Sequence, residues 1–115
     1  MVKREIVGAH YGLRDWLAQR VTAVIMTVNT VIILSAVAGL PQMDYWQWKV
    51  LWQTPLVRYA TVLFIVSLLL HVWIGVRNIF MDYIKDAALR LTLYVLVIAA
   101  LLWYGAWSVQ ILWGP

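Results

Sequence analysis

The chain has 115 residues, 64% hydrophobic and 12% charged, with nine Lys or Arg against five Asp or Glu and a net charge of +4. That composition excludes a water-soluble domain and marks a membrane protein, in which too little sequence lies outside apolar stretches for a soluble catalytic domain or a Gly-rich phosphate loop. Flavin or nucleotide chemistry must reside in another polypeptide, and the absence of cysteine excludes iron–sulfur ligation and disulfides within this one.

Crossing the hydrocarbon takes about 20 apolar residues in a helix, and the charged residues fence off three such stretches. The expected order is an N-terminal segment over residues 1–19, a first span over about 20–40 and an outer connection over 41–55. A second span over about 56–80, a short connection over 81–87 and a third span over about 88–113 follow. The fold class is all-α, with three transmembrane helices. "SAVAG" at 35–39 resembles a signal-peptidase site, but the preceding charged region is long, carries Glu5 and Asp15, and the apolar run exceeds the usual 7 to 15 residues. The first span is therefore expected to be retained.

Lys3, Arg4, Arg14 and Arg20 precede the first span and Arg77, Lys85 and Arg90 surround the second connection, whereas Lys49 and Arg58 lie on the other side. This asymmetry predicts a cytoplasmic amino terminus and a carboxyl terminus outside. It also accounts for the net charge without nucleic acid as a partner, since the aromatics sit at span ends and not on a basic face.

The first span leaves through Gly39 and Pro41, and Asp44 can cap a short helix that places Tyr45, Trp48 and Trp52 on one side, suited to the outer interface. Thr54 followed by Pro55 reads as a helix start, with the hydroxyl as cap. Asp86 is the expected N-cap of the third span, which is apolar all round and carries Trp103, Tyr104, Trp107 and Trp113 toward its outer half. Lipid-facing and packing roles suffice for it.

The second span is the informative one. Ser67, His71, Gly75, Asn78 and Asp82 fall within an arc of roughly 80° on a helix, against a background of leucine, valine and isoleucine. Small and polar stripes commonly mark helix–helix packing, and that reading suffices for Ser67 and Gly75. His71 lies about 9 Å inside Arg77 at 1.5 Å per residue, and an ionisable group at that depth is a functional-site candidate. Proton relay, substrate contact and axial ligation of a haem all suit it. A relay wants a second ionisable group at similar depth, which neither other span supplies. For ligation, Gly75 one turn away lets a flat macrocycle approach the backbone, and Arg77 and Arg20 stand at the height of its propionates. His10 precedes Arg14 and reads as an interfacial polar residue, so a second axial histidine must come from a partner subunit. A methionine such as Met26 is the remaining internal option, but three helices are too few to enclose a haem alone.

"MDYIKD" at 81–86 ends the stretch at the cytoplasmic border. Tyr83 offers a phenol donor and Asp82 a proton-exchanging carboxylate. The plain reading is an interfacial aromatic anchor with a helix-end charge paired to Lys85 or Arg90. Read with His71, the two residues describe a place where a lipid-soluble redox carrier has a carbonyl polarised and receives protons.

"RVTAVIMT" at 20–27, "LLHVWIGVRNIFMDYIKDAALRL" at 69–91 and the total length resemble the small hydrophobic membrane-anchor subunits of bacterial succinate dehydrogenase, the cytochrome b556 type of respiratory complex II. The likeness spans most of the chain and is weaker in the loop at 41–57 and at the extreme amino terminus. It implies a four-subunit inner-membrane complex in which a flavoprotein oxidises succinate and an iron–sulfur subunit passes electrons to ubiquinone. Two three-helix anchors then share one haem b. By this resemblance His71 is one axial ligand, the second anchor subunit (C) supplies the other, and Tyr83 hydrogen-bonds the quinone carbonyl. Asp82 supports it, and Arg20 serves propionates or a site-lining charge network. Two alternatives stand beside this: a fumarate reductase anchor, and a structural membrane protein with no redox site.

Overall fold

The structure, a computed structural model, describes the backbone over residues 2–114 and the side chains over residues 12–114. His10 therefore lies outside the described side chains. Four helices follow in order: α1 (Val2–Ala38), α2 (Tyr45–Gln53), α3 (Pro55–Tyr83) and α4 (Ala87–Trp113). Three are long and apolar enough to cross a membrane, over Gly12–Ala38, Pro55–Tyr83 and Ala87–Trp113. The chain is a multi-pass, all-α membrane protein.

No break separates an N-terminal segment from the first span. α1 runs 37 residues without interruption, about 55 Å at the helical rise, so its length exceeds a bilayer core of about 30 Å. It ends at Ala38, where Leu40 precedes Pro41 and cannot readily continue a helix. Gly39 closes the turn through its N–H to the Ser35 carbonyl at 3.0 Å, without a positive φ. Asp44 caps α2 as its position requires, its Oδ1 accepting from the Gln47 N–H at 2.8 Å.

The cap expected of Thr54 differs. Its Oγ1 donates backwards to the Val50 carbonyl at 3.0 Å, tying the end of α2, while Pro55 at the first position starts α3 without a side-chain cap. Turned back toward α2, the hydroxyl makes no bond to the first turn of α3. Asp86 occupies the N-cap of α4, likewise with no side-chain bond. Between α3 and α4 only Ile84, Lys85 and Asp86 lie outside helices, since α3 continues through Asp82 and Tyr83.

α3 is the central helix, packed antiparallel against α1 on one side and α4 on the other, with α2 folded against α3 and α4. Few residues are buried. In the spans the most enclosed include Thr22, Asn29 and Ser67, at 5%, 4% and 3% exposure, while α4 buries none. That inversion is expected in lipid, where apolar surface gains nothing by leaving the solvent and small or polar residues form the helix contacts. On the α4 side, Tyr94 packs against Trp73 and Phe80 at centroid distances of 5.7 and 6.0 Å.

Candidate functional site

The polar stripe predicted on α3 meets a second one on α1. Asp15, Thr22 and Asn29 recur at intervals of seven, two turns apart and hence on one helix face. Three contacts set the antiparallel register: Arg77 with Asp15, Gly75 with Gln19 and His71 with Thr22. The first and third pairings give a group that lipid cannot solvate a protein partner, and the second is a close approach of the two helices.

His71 is half-buried, and its Nδ1 lies 3.0 Å from Thr22 Oγ1. The hydroxyl carries a single proton, and Oγ1 approaches the Ala18 carbonyl at 2.7 Å and the Gln19 carbonyl at 3.1 Å. With that proton directed at Ala18, the contact to the ring has one consistent assignment, Nδ1–H donating to Oγ1. Neutral imidazole protonated at Nδ1 keeps a lone pair at Nε2, and Nε2 has no hydrogen-bond partner among the described residues. A nitrogen base held in one tautomer, its other nitrogen occupied by a second helix, has the form of a metal-ligating histidine. No group of three or more His, Cys, Asp or Glu able to hold a metal ion occurs among the described residues, and an axial ligand to haem iron needs only the one.

Gly75 does not leave an open cradle. A Cβ built there meets Gln19 Nε2 at 3.5 Å, so the glycine faces α1 and its missing side chain serves the approach of two helices. The packing reading is the one the geometry supports for Gly75 and for buried Ser67.

Toward the C-terminal end of α3, Arg77 forms the one ion pair found among the described residues, its Nη2 donating to Asp15 Oδ2. Its buried Nε keeps a donor without an acceptor, as buried Gln19 Oε1 keeps an acceptor without a donor. An unfilled guanidinium donor about 1.7 turns from His71 suits a carboxylate, and haem propionates are carboxylates. Arg20 is exposed and lies over the Trp16 ring at 4.9 Å. Asp82 and Tyr83 are exposed in the last turn of α3, Tyr83 at 78%, and neither side chain has a polar partner among the described residues. The expected pairing of Asp82 with Lys85 or Arg90 does not form, and Arg90 Nη1 instead donates to the Ile84 carbonyl at 3.4 Å.

Asp82 follows His71 by eleven residues, so they share a helix face about 16 Å apart along the axis. The structure thus brings His71 and Arg77 to the α1 seam and leaves Tyr83, Asp82 and Arg20 open to other molecules. Thr22, Asp15 and Gln19 were not singled out in the sequence, although the interval of seven on α1 was available as a signal. A cavity of about 480 Å³ lies at the opposite end, between α2, the N-terminal part of α3 and the C-terminal part of α4, and includes Tyr45, Trp48, Lys49 and Trp52.

Over residues 2–106 the chain matches the family described as succinate dehydrogenase/fumarate reductase transmembrane subunit. It is 35% identical over 102 residues to the succinate dehydrogenase hydrophobic membrane anchor subunit of Coxiella burnetii (strain RSA 493 / Nine Mile phase I), an alignment covering 89% of each chain. Similarity of that extent, over three spans with the histidine seated between two of them, establishes that this chain is a membrane-anchor subunit of the succinate dehydrogenase/fumarate reductase family.

Proposed function

We propose that this chain is the small anchor of a succinate:quinone oxidoreductase, that His71 provides one axial ligand to a haem b, and that Tyr83 and Asp82 form part of the site where ubiquinone is reduced. The observation that carries the reading is the seating of His71, whose Nδ1 is engaged by Thr22 and whose Nε2 lone pair has no protein partner among the described residues. A haem-free fumarate reductase anchor has no use for that arrangement inside a span, which favours the haem-bearing reading within the family.

The partners follow from what this chain lacks. The second axial histidine comes from the other anchor subunit, and the electrons come from an iron–sulfur subunit fed by a flavoprotein, both docked on the cytoplasmic face. The setting is the bacterial inner membrane, with the amino terminus cytoplasmic and the carboxyl terminus periplasmic, as the distribution of Lys and Arg indicates.

Haem b, when bound, would supply a one-electron couple. The chain's own residues perform the rest. His71 would hold it through Nε2, and Arg77 and Arg20 would offer guanidinium donors to its propionates, Arg77 through the Nε that Asp15 leaves unfilled. Quinone reduction takes two electrons and two protons, so the carrier must sit where apolar tail space, an electron source and aqueous protons meet. The last turn of α3 is such a border. There the Tyr83 phenol donates to a quinone carbonyl oxygen, and the adjacent Asp82 carboxylate exchanges protons with the cytoplasm.

The test is a reduced-minus-oxidised spectrum of the solubilised complex, wild type and His71→Ala, with a census of co-purifying subunits. Wild-type complex is expected to show b-type bands that His71→Ala abolishes or shifts. A colourless wild-type preparation, or bands untouched by the substitution, overturns the haem assignment.

A further inference from the structure

Every threonine that bonds back along these helices uses its hydroxyl proton in the same way. Thr27, Thr30, Thr61 and Thr92 each donate to the carbonyl four residues earlier, at 2.7 to 2.9 Å, and none has a second side-chain partner among the described residues. Thr22 shares the first feature, donating to Ala18 at 2.7 Å, and differs in the second, since its Oγ1 also meets His71 Nδ1 at 3.0 Å. At 5% exposure it is among the most enclosed residues of the chain.

The order of dependence runs from helix to ring. A threonine in a helix has few side-chain rotamers, and donation to the carbonyl four residues back selects one of them. Its oxygen lone pairs are therefore aimed before the imidazole arrives. The acceptor belongs to α1 while the imidazole belongs to α3, so the contact links ring orientation to the packing of two spans. Because the two ring nitrogens point away from one another, a ring pinned at Nδ1 turns Nε2 away from Thr22.

We propose that Thr22 is a positioning residue for the haem ligand, its hydroxyl accepting the His71 Nδ1–H and thereby fixing the tautomer and rotation of the imidazole and strengthening Nε2 as a donor to iron. This rests on His71 being the axial ligand. Outer partners of ligating histidines act in this way, and removing one typically costs about 10- to 100-fold in metal affinity. A stronger nitrogen donor favours the ferric state, so loss of the hydroxyl raises the midpoint potential.

The experiment uses the assembled complex with all its subunits. Thr22→Val removes the hydroxyl at constant volume, Thr22→Ala removes it without added bulk, and Thr22→Ser keeps it. The readouts are haem content per complex, the redox midpoint, and the low-spin ferric g-values. Expected results are a more positive midpoint and altered g-values in Thr22→Val and Thr22→Ala, with haem released about 10- to 100-fold more readily, and a return toward wild type in Thr22→Ser. Loss of haem from both hydroxyl-free variants, with retention in Thr22→Ser, supports the same conclusion if assembly suffers. Wild-type midpoint and g-values in either hydroxyl-free variant overturn the proposal, as does a Thr22→Ser complex that behaves like Thr22→Ala. His71→Ala, measured in parallel, keeps the two failures apart. If it leaves the haem bands untouched, the ligand assignment falls and this proposal with it; if it abolishes them while Thr22→Val matches wild type, only the role of Thr22 falls.

Discussion

At the residue scale, polar groups in this chain divide by whether a second helix satisfies them. Thr22 and Asp15 hold polar partners on α3, whereas Tyr83 and Asp82 have none among the described residues and stand exposed in the last turn of α3. An exposed phenol at a membrane border is available to a ligand or a partner chain without first breaking an internal bond. Tyr83→Phe keeps the ring and removes only the donor. Succinate-dependent ubiquinone reduction is therefore expected to fall by about 100-fold, the lower range for loss of a positioned proton-donating group. Haem bands and subunit composition are expected to stay those of wild type. Unchanged turnover in an intact complex removes Tyr83 from the quinone site.

At the element scale, the α1–α3 seam holds the arrangement together. A Cβ at Gly75 reaches Gln19 Nε2 at 3.5 Å, an ordinary contact distance, so Gly75→Ala is expected to assemble fully with an unaltered haem spectrum. Gly75→Leu adds bulk that cannot fit between two apposed helices, and it is expected to cost haem content or assembly by forcing α1 away from His71. A spectral change in Gly75→Ala restores the view that the macrocycle itself needs this glycine. The ion pair at the end of the seam is only partly enclosed, with Arg77 and Asp15 side chains 31% and 30% exposed, so solvent screens it. A double-mutant cycle on Asp15→Ala and Arg77→Ala, read by thermal denaturation of the complex, is expected to give a coupling of about 1 kcal/mol. Additive effects within error place both residues outside a shared interaction.

At the scale of the whole molecule, the helices enclose little of one another. α4 buries no residue, and Trp103, Tyr104 and Trp107 remain more than half exposed in its C-terminal half. Three helices in a row, with α3 in the middle, offer two broad faces to lipid or to another bundle. Expressed alone in membranes, the chain is expected to insert with its amino terminus inside, to show no b-type bands and to be degraded. Co-expression with the second anchor subunit is expected to restore both haem and abundance, checked by membrane spectra and topology reporters at each terminus. A haem-containing product from this chain alone refutes the shared-site arrangement.

What the sequence determined by itself is the part governed by transfer energy and chain stiffness. The three spans, the Asp44 cap, the start of α3 at Pro55 and the conspicuous depth of His71 depend on local apolar length, capping and proline geometry, all of which are written in consecutive residues. The register between α1 and α3 was decided only in the tertiary structure. Thr22, Asp15 and Gln19 sit 49, 62 and 56 positions before the residues they meet, and a stripe spaced by seven names a face without naming its partner. Gly75 shows the same limit, since one missing side chain serves equally a macrocycle or a neighbouring helix until the neighbour is in place. In lipid the pull between helices comes from close packing and polar contacts and not from burial of apolar area, so hydropathy locates the spans but is silent about which faces meet.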